Sequence, residues 1–411
     1  MAEVKRVAIK ATNQLREVMA KHFMELGEAA KMKNKKIAWC SSVGPAELAH
    51  SLGFLVYYYE NHAAILGSNR TASDYIPIAN AHGYSPEICS YLTSDIGAYL
   101  KGETPLTKAY GIDKVPKPDV LLYSTNQCRE VYDWMTFYAH EFKVPLLGVN
   151  TPRTQRQVRE DTVKSVAAQL EQMVPELEEI AGRAFDIDRF REILVISREC
   201  SRLWEAVLET AAARPSPLTF FDACIHMGPA VVMRGREEAN DYYRLLLEEL
   251  KERVNQGIAA VEGERNRFYW EGMPIWGKLR GMSELFSRLK GCIAVSTYCS
   301  SWVFSGFDPK DPFQSMARAY CSIFIVQDDK AKEDYIAEKV EHFGIDGILY
   351  HDAKTCPSNT NNRYGMANRL SERLGIPHLI INGDLNDLRC FSEEQTVTNV
   401  EAFVEQIEES R

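Results

Sequence analysis

The sequence predicts an α/β protein made of two Rossmann-like domains with parallel sheets, plus helical N-terminal and connecting segments. Three observations carry this expectation. Short apolar runs alternate with helix-length polar-patterned segments early in the chain and again after Gly272, as expected for parallel strands covered by helices on both faces. The stretch between these two regions carries helical spacing and few strand signals. Finally, 411 residues exceed what one hydrophobic core ordinarily serves. The expected division is residues 1–153 for the N-terminal helix and first domain, 154–265 for a mainly helical connection, and 266–411 for the second domain.

Taken in order, the start MAEVKRVAIKATNQLREVMAKHF reads as a charged amphipathic helix reaching about Met32, without a secretory apolar core. The basic turn KNKK then leads into a first strand over 37–40. Further strands are expected over 54–58, 120–123 and 145–149. In SVAAQLEQMVPEL the residues Val163, Val166, Ala167, Leu170, Val174 and Leu177 follow helical spacing, and Pro175 is expected to kink that helix. DYYRLLLEELKERV places Tyr242, Leu246, Leu250 and Val254 on one stripe. Strands return over 273–276, 293–296, 347–350 and 378–381. The segments CREVYDWMTFYAHEFKVPLLGVN and CPSNTNNRYGMANRLSERLGIPHLIIN share one plan, cysteine, helix, then a Pro-led strand, which suggests an internal duplication.

Hydrophobic residues at 45%, aromatics at 10% and charges at 26% are those of an ordinary globular protein. A net charge of −9 without a long basic run argues against a nucleic-acid partner, while leaving room for a local basic pocket. No apolar run approaches the roughly 18 residues of a membrane span, so a cytoplasmic location is expected. In that compartment ten cysteines point to metal or redox use, or to burial, rather than to disulfides. No CxxC pair is present.

Ligands in open parallel sheets bind beyond the carboxyl ends of the strands. Cys128 in DVLLYSTNQCREV and Cys356 in GILYHDAKTCPSN both fall there, each just before a predicted helix whose free N–H groups and dipole are expected to lower the thiol pKa. Cys89, in HGYSPEICSYLTSDIGAYL, is expected in the first turn of a helix opened by Ser85 or Pro86. Free cysteine is among the most buried residue types, so any one of the three taken singly is more often a packing residue. Their shared placement in polar turns or helix starts favours ligation. Cys200 and Cys292 read as packing residues; Cys40, Cys224, Cys299, Cys321 and Cys390 stay undecided.

WCSSVGPAELAHSLGFLVYYYENHAA, GYSPEICSYLTSDIGAYLKG, LLYSTNQC, RPSP at 214–217, FYWEGMPIW and HDAKTC, in that order over nearly the whole chain, resemble the 2-hydroxyacyl-CoA dehydratase and benzoyl-CoA reductase family. The resemblance implies two Rossmann-like domains with a [4Fe–4S] cluster between them, held by Cys89, Cys128 and Cys356, with one iron lacking a cysteine ligand. It also implies radical elimination of water from a 2-hydroxyacyl-CoA through a ketyl radical. Glu60 matches the family's proposed base, in an aromatic setting from Tyr57, Tyr58 and Tyr59 expected to raise its pKa. Ser42 matches a serine beside the open iron; by itself it reads more often as a helix cap, since Pro45 and Glu47 follow. His62 would donate to substrate or pack. Asn126, Lys354 and Asn359 would tune the cluster or serve as turn residues. Trp134, Tyr298 and Trp302 would line an acyl pocket or the core. The sequence departs from the family in PSNTNNRYG after Cys356 and in the extra Cys299 of STYCSSW, which leaves acyl selectivity and a larger cluster open. The resemblance therefore implies the substrate-binding iron–sulfur subunit of an (R)-2-hydroxyacyl-CoA dehydratase, paired with a homologous second subunit as a heterodimer and supplied by an ATP-dependent iron–sulfur activator. A benzoyl-CoA reductase subunit is the nearest alternative, and a cluster-free α/β ligand-binding protein the next.

Overall fold

Strand β1 (Ile37–Cys40) lies at the centre of the first sheet, buried on both faces, between β2 (Leu55–Tyr57) and β3 (Val120–Ser124); β4 (Leu146–Val149) follows β3. All pairings are parallel, giving the order β2-β1-β3-β4. The second sheet, from β5 (Asn266–Glu271), β6 (Gly291–Ser296), β7 (Gly347–Ala353) and β8 (His378–Gly383), is also parallel and runs β6-β5-β7-β8. In both, the second strand lies outside the first, and the third and fourth continue on the other side. The two halves thus share one winding, the duplication that the repeated cysteine–helix–strand plan suggests. This computed structural model describes residues 7–153 and 156–410.

Strand positions agree with the sequence reading to within a residue or two in most cases. The strand expected over 273–276 instead lies earlier, at β5, and 273–276 forms a turn entering a short 3-10 helix. Two buried charges hide β5 in the sequence: Arg267 is held by Glu264 at 2.6 Å and by the carbonyls of Ala211 and Phe343 at 3.1 Å, and Glu271 by Thr297 and Asn361. The strand ends where Gly272 takes φ +98°, a backbone conformation costly for other residues.

An N-terminal helix spans Thr12–Met32, and the region between the sheets is helical, including Glu160–Gln172, Val174–Ala181, Ile187–Glu209 and Glu237–Gln256. Pro175 does more than kink: one helix stops at Gln172 and the next starts at Val174, with the proline in its first turn, where no N–H is missed. Asp186 caps the longest helix by accepting from the N–H groups of Asp188 and Arg189. Among the described residues no helix is long and apolar enough to cross a membrane.

The chain between β2 and β3 makes helices Tyr59–Ser68, Ala72–Ala81 and Ser90–Lys101, of which the first and third reach across to the second domain. Asn386, just beyond β8, donates to Ala63 O at 2.9 Å and to Ser94 Oγ at 3.0 Å. Gly67 permits this approach, since a Cβ there would lie 2.0 Å from Asn386 Oδ1.

Candidate active site

The carboxyl ends of β1, β3 and β7 and the start of helix Ser90–Lys101 open on one cavity of about 420 Å³, lined by Ser42, Glu60, Cys89, Cys128 and Cys356 among others. Cys128 follows β3 and Cys356 follows β7, the equivalent strands of the two sheets. Cys128 lies two residues before helix Glu130–Phe142. Cys89 immediately precedes helix Ser90–Lys101, because residues 85–88 form turns rather than a first helical turn. Cys356 departs further from expectation: it is followed by the 3-10 turns Pro357–Asn359 and Asn361–Tyr364, and the α-helix begins only at Met366. Pro357 and the asparagines favour turns over an α-helical start.

The expectation of low-pKa thiols is also overturned. Burial pushes Cys89 and Cys128 well above the ordinary thiol range and Cys356 up to about 12, and each is raised further by neighbouring acids or by another of the three sulfurs. One helix terminus is too weak a partner for a thiolate so enclosed. Nearby backbone N–H groups, those of Leu92 and Tyr91 for Cys89 and that of Asn359 for Cys356, pull the other way and favour thiolate, although neither sulfur accepts a capping hydrogen bond and the Asn359 N–H donates to the Cys356 carbonyl at 3.3 Å.

On the same cavity, the turn after β1 meets the first turn of helix Tyr59–Ser68. The Ser42 N–H donates to Glu60 Oε2 at 2.5 Å, the Ser42 side chain also hydrogen-bonds that carboxyl, and Gln127 Nε2 donates to Glu60 Oε1 at 3.3 Å. Burial raises the Glu60 pKa, and these hydrogen bonds only partly offset it. The tyrosines contribute unequally. Tyr59 packs edge-on to Trp134 at 4.4 Å, whereas Tyr57 and Tyr58 turn into separate cores.

His62 does not reach the cavity wall: its Nδ1 meets Asp95 at 2.5 Å and its Nε2 meets Thr104 at 2.9 Å, so both ring nitrogens are engaged. Trp134 Nε1 donates to the same Asp95 at 2.9 Å while the ring lines the cavity, and Tyr298 and Trp302 line it from the second domain. Asn126 is buried and donates to Val43 O at 3.2 Å, fixing the Ser42 turn; Asn359 lines the cavity; Lys354 is exposed and pairs with Glu87 at 3.3 Å. Cys200 and Cys292 are core residues, as are Cys40 and Cys321; Cys390 is half-buried, and Cys224 on the cavity wall lies 3.9 Å from Cys299.

Several further groups order the site. Arg234, from the connecting region, donates to the carbonyls of Ser42 and Gly44 at 2.5 and 3.1 Å. Asp384 ties the Cys89 and Cys356 segments together. Trp276 Nε1 donates to Tyr91 hydroxyl, which in turn hydrogen-bonds Tyr298. Asp384, at the carboxyl edge of β8, and Gln127, beside Cys128, were open to the same strand-end rule that found the cysteines. Arg234 carries no local signal.

Residues 41–407 match the model of the family described as 2-hydroxyglutaryl-CoA dehydratase, D-component. The chain belongs to that family. It is 29% identical over 414 residues to the (R)-2-hydroxyisocaproyl-CoA dehydratase alpha subunit of Clostridioides difficile, covering 100% of this chain and 98% of the relative. It is likewise 29% identical over 390 residues to the lactoyl-CoA dehydratase alpha subunit of Anaerotignum propionicum, covering 92% of each. A benzoyl-CoA reductase subunit of Thauera aromatica is also 29% identical, over 370 residues, covering 86% of this chain and 84% of that one.

The chemistry of the donor set fits an iron–sulfur centre of the kind the family resemblance implies. Three cysteines from separate segments line one cavity, nearby backbone N–H groups favour the thiolate form of two of them, and thiolate is the usual ligand of such clusters. Among the described residues no set of three or more histidines, cysteines or acids is arranged for a single metal ion.

Proposed function

We propose that this chain is the iron–sulfur subunit of an (R)-2-hydroxyacyl-CoA dehydratase, which removes water from its substrate by radical syn-elimination through a ketyl radical to give a 2-enoyl-CoA. The carrying observation is that Cys89, Cys128 and Cys356, remote in sequence, share one cavity with the hydrogen-bonded Ser42–Glu60 pair. A [4Fe–4S] cluster held by those cysteines would have one iron without a protein thiolate and would supply Lewis acidity and a single electron. A homologous second subunit and an ATP-dependent iron–sulfur activator complete the proposed system.

The chain's own groups suit the remaining work. Glu60 is held by Ser42 and Gln127, and its raised pKa brings it closer to what a general base at neutral pH needs to take the substrate's β-proton. The Ser42 hydroxyl, which hydrogen-bonds Glu60 in this structure, would exchange that partner on substrate binding to donate to the thioester oxygen or the departing hydroxyl. Tyr298 and Trp302 help exclude water from the cavity.

The chain purified anaerobically should be brown, absorb broadly near ~400 nm and carry about four irons. Cys128→Ala should lose that iron while its far-UV circular dichroism is retained; full iron content in the variant counts against Cys128 as ligand. With partner, activator and ATP, a panel of 2-hydroxyacyl-CoA and aromatic acyl-CoA thioesters should yield many dehydrations per injected electron. Ring reduction consuming electrons in proportion would favour the reductase reading, which the similarity to the Thauera aromatica reductase chain supports. A colourless, folded chain inactive on every thioester would favour a cluster-free binding protein.

Glu60→Gln retains the volume and loses the base. Its kcat should fall by about 10²-fold or more, with iron content unchanged and KM moved little; kinetics and iron analysis on the same preparation check this.

A further inference from the structure

We propose that the acyl group taken by this cavity is uncharged and apolar, and that a thioester carrying a second carboxylate at the far end of its acyl chain is rejected. This rests on the reading of the cavity as an acyl-CoA site, whether for elimination or for reduction.

The wall composition carries the inference. Met19, Ile65, Met227, Val231, Leu279 and Trp302 bring apolar surface to the cavity from five separate segments. The charged lining residues, among those described, are Arg16, Glu60 and Glu130. Glu60 is already held by Ser42 and Gln127, and Glu130 opens the helix that follows Cys128. Arg16 is exposed on helix Thr12–Met32, where solvent and salt screen it. A distal carboxylate entering the cavity would shed water, meet two like charges and find no enclosed cation among the described lining residues. Burying a charge without a partner is strongly unfavourable, whereas an alkyl or aryl group gains from the same burial.

The helix bearing Glu60 sets the direction of one wall. Glu60, Ala64 and Ser68 are spaced i, i+4, i+8, and all three line the cavity, together with Ile65. At 1.5 Å rise per residue, Ala64 stands roughly 6 Å along the wall from Glu60, within reach of a short acyl chain. A cation placed there would supply the partner a distal carboxylate lacks.

The test is equilibrium binding of 4-methylpentanoyl-CoA, glutaryl-CoA and free CoA to the anaerobically purified full chain, measured by titration calorimetry. These thioesters lack the 2-hydroxyl, so binding is read without turnover. The expected result is that 4-methylpentanoyl-CoA binds at least about tenfold more tightly than glutaryl-CoA, and that Ala64→Arg narrows or inverts the ratio while Ala64→Met keeps it. Equal affinity, or tighter glutaryl-CoA binding, in the unaltered chain overturns the inference and leaves the acyl-CoA reading standing. Failure of both acyl thioesters to bind overturns that reading and the inference with it.

Discussion

Arg234→Ala is expected to destabilise the protein by about 3–5 kcal/mol, because it strands a buried carboxylate. Arg234 Nε donates to Glu47 Oε1 at 2.8 Å, and the two side chains are 2% and 0% exposed. Ser197 Oγ donates to the same Glu47 oxygen at 2.7 Å. One hydroxyl cannot replace a guanidinium as partner to a fully enclosed charge. The rings of Tyr58 and Phe304, 5.9 and 5.1 Å from the guanidinium, pack on it and would lose that contact as well. Thermal melting of the variant should show the loss directly.

A paired substitution separates stability from positioning. Replacing a buried ion pair by apolar groups of similar size is often neutral, so Arg234→Met with Glu47→Leu should recover much of the lost stability. It should not recover activity, because the bonds from Arg234 to the carbonyls of Ser42 and Gly44 are gone, and the Ser42 N–H that orients Glu60 loses its backing. A double variant that melts normally and turns over normally would show that the clamp is structural alone.

How much of this was readable in the sequence depends on the range of each interaction. The parallel strands announce themselves because strands covered on both faces must be apolar, and β1, β3 and β7 do so within a few residues. β5 breaks the rule by burying Arg267 and Glu271, whose partners are in part far away: Ala211 and Phe343 for one, Asn361 for the other. No local pattern reveals a charge neutralised that distantly. The cysteines were legible because strand ends are; that Cys89 joins them depends on a helix crossing to the second domain. His62 sits two residues from Glu60 in sequence, yet within the first turn of a helix that step turns it to the opposite face, toward Asp95 and Thr104. Thiol acidity was misjudged because helix termini are visible in sequence and burial is not.

Asp384→Ala should separate two of the three sulfurs. Asp384 is fully buried and accepts five hydrogen bonds: from Ser90 Oγ, from Thr355 N at 2.8 Å and Oγ1 at 2.7 Å, and from the N–H groups of Asn386 and Asp387 at 3.1 Å. Ser90 follows Cys89, and Thr355 precedes Cys356; Ser90 N also donates to Thr355 Oγ1 at 2.9 Å. The carboxylate therefore fixes the spacing of a helix start from the first domain and a loop from the second. Removing it leaves buried donors without an acceptor, a loss of roughly 2–5 kcal/mol, and frees the two cysteine-bearing segments to drift. The expected result is a lower melting temperature together with iron content below half that of the unaltered chain after anaerobic purification. Thr355→Val, which removes the two bonds made by Oγ1 and keeps the carboxylate, should fall between. A variant lacking Asp384 that melts lower yet holds its full complement of iron would mean that the sulfurs keep their places without it, and that the carboxylate braces the domain junction rather than the ligand set.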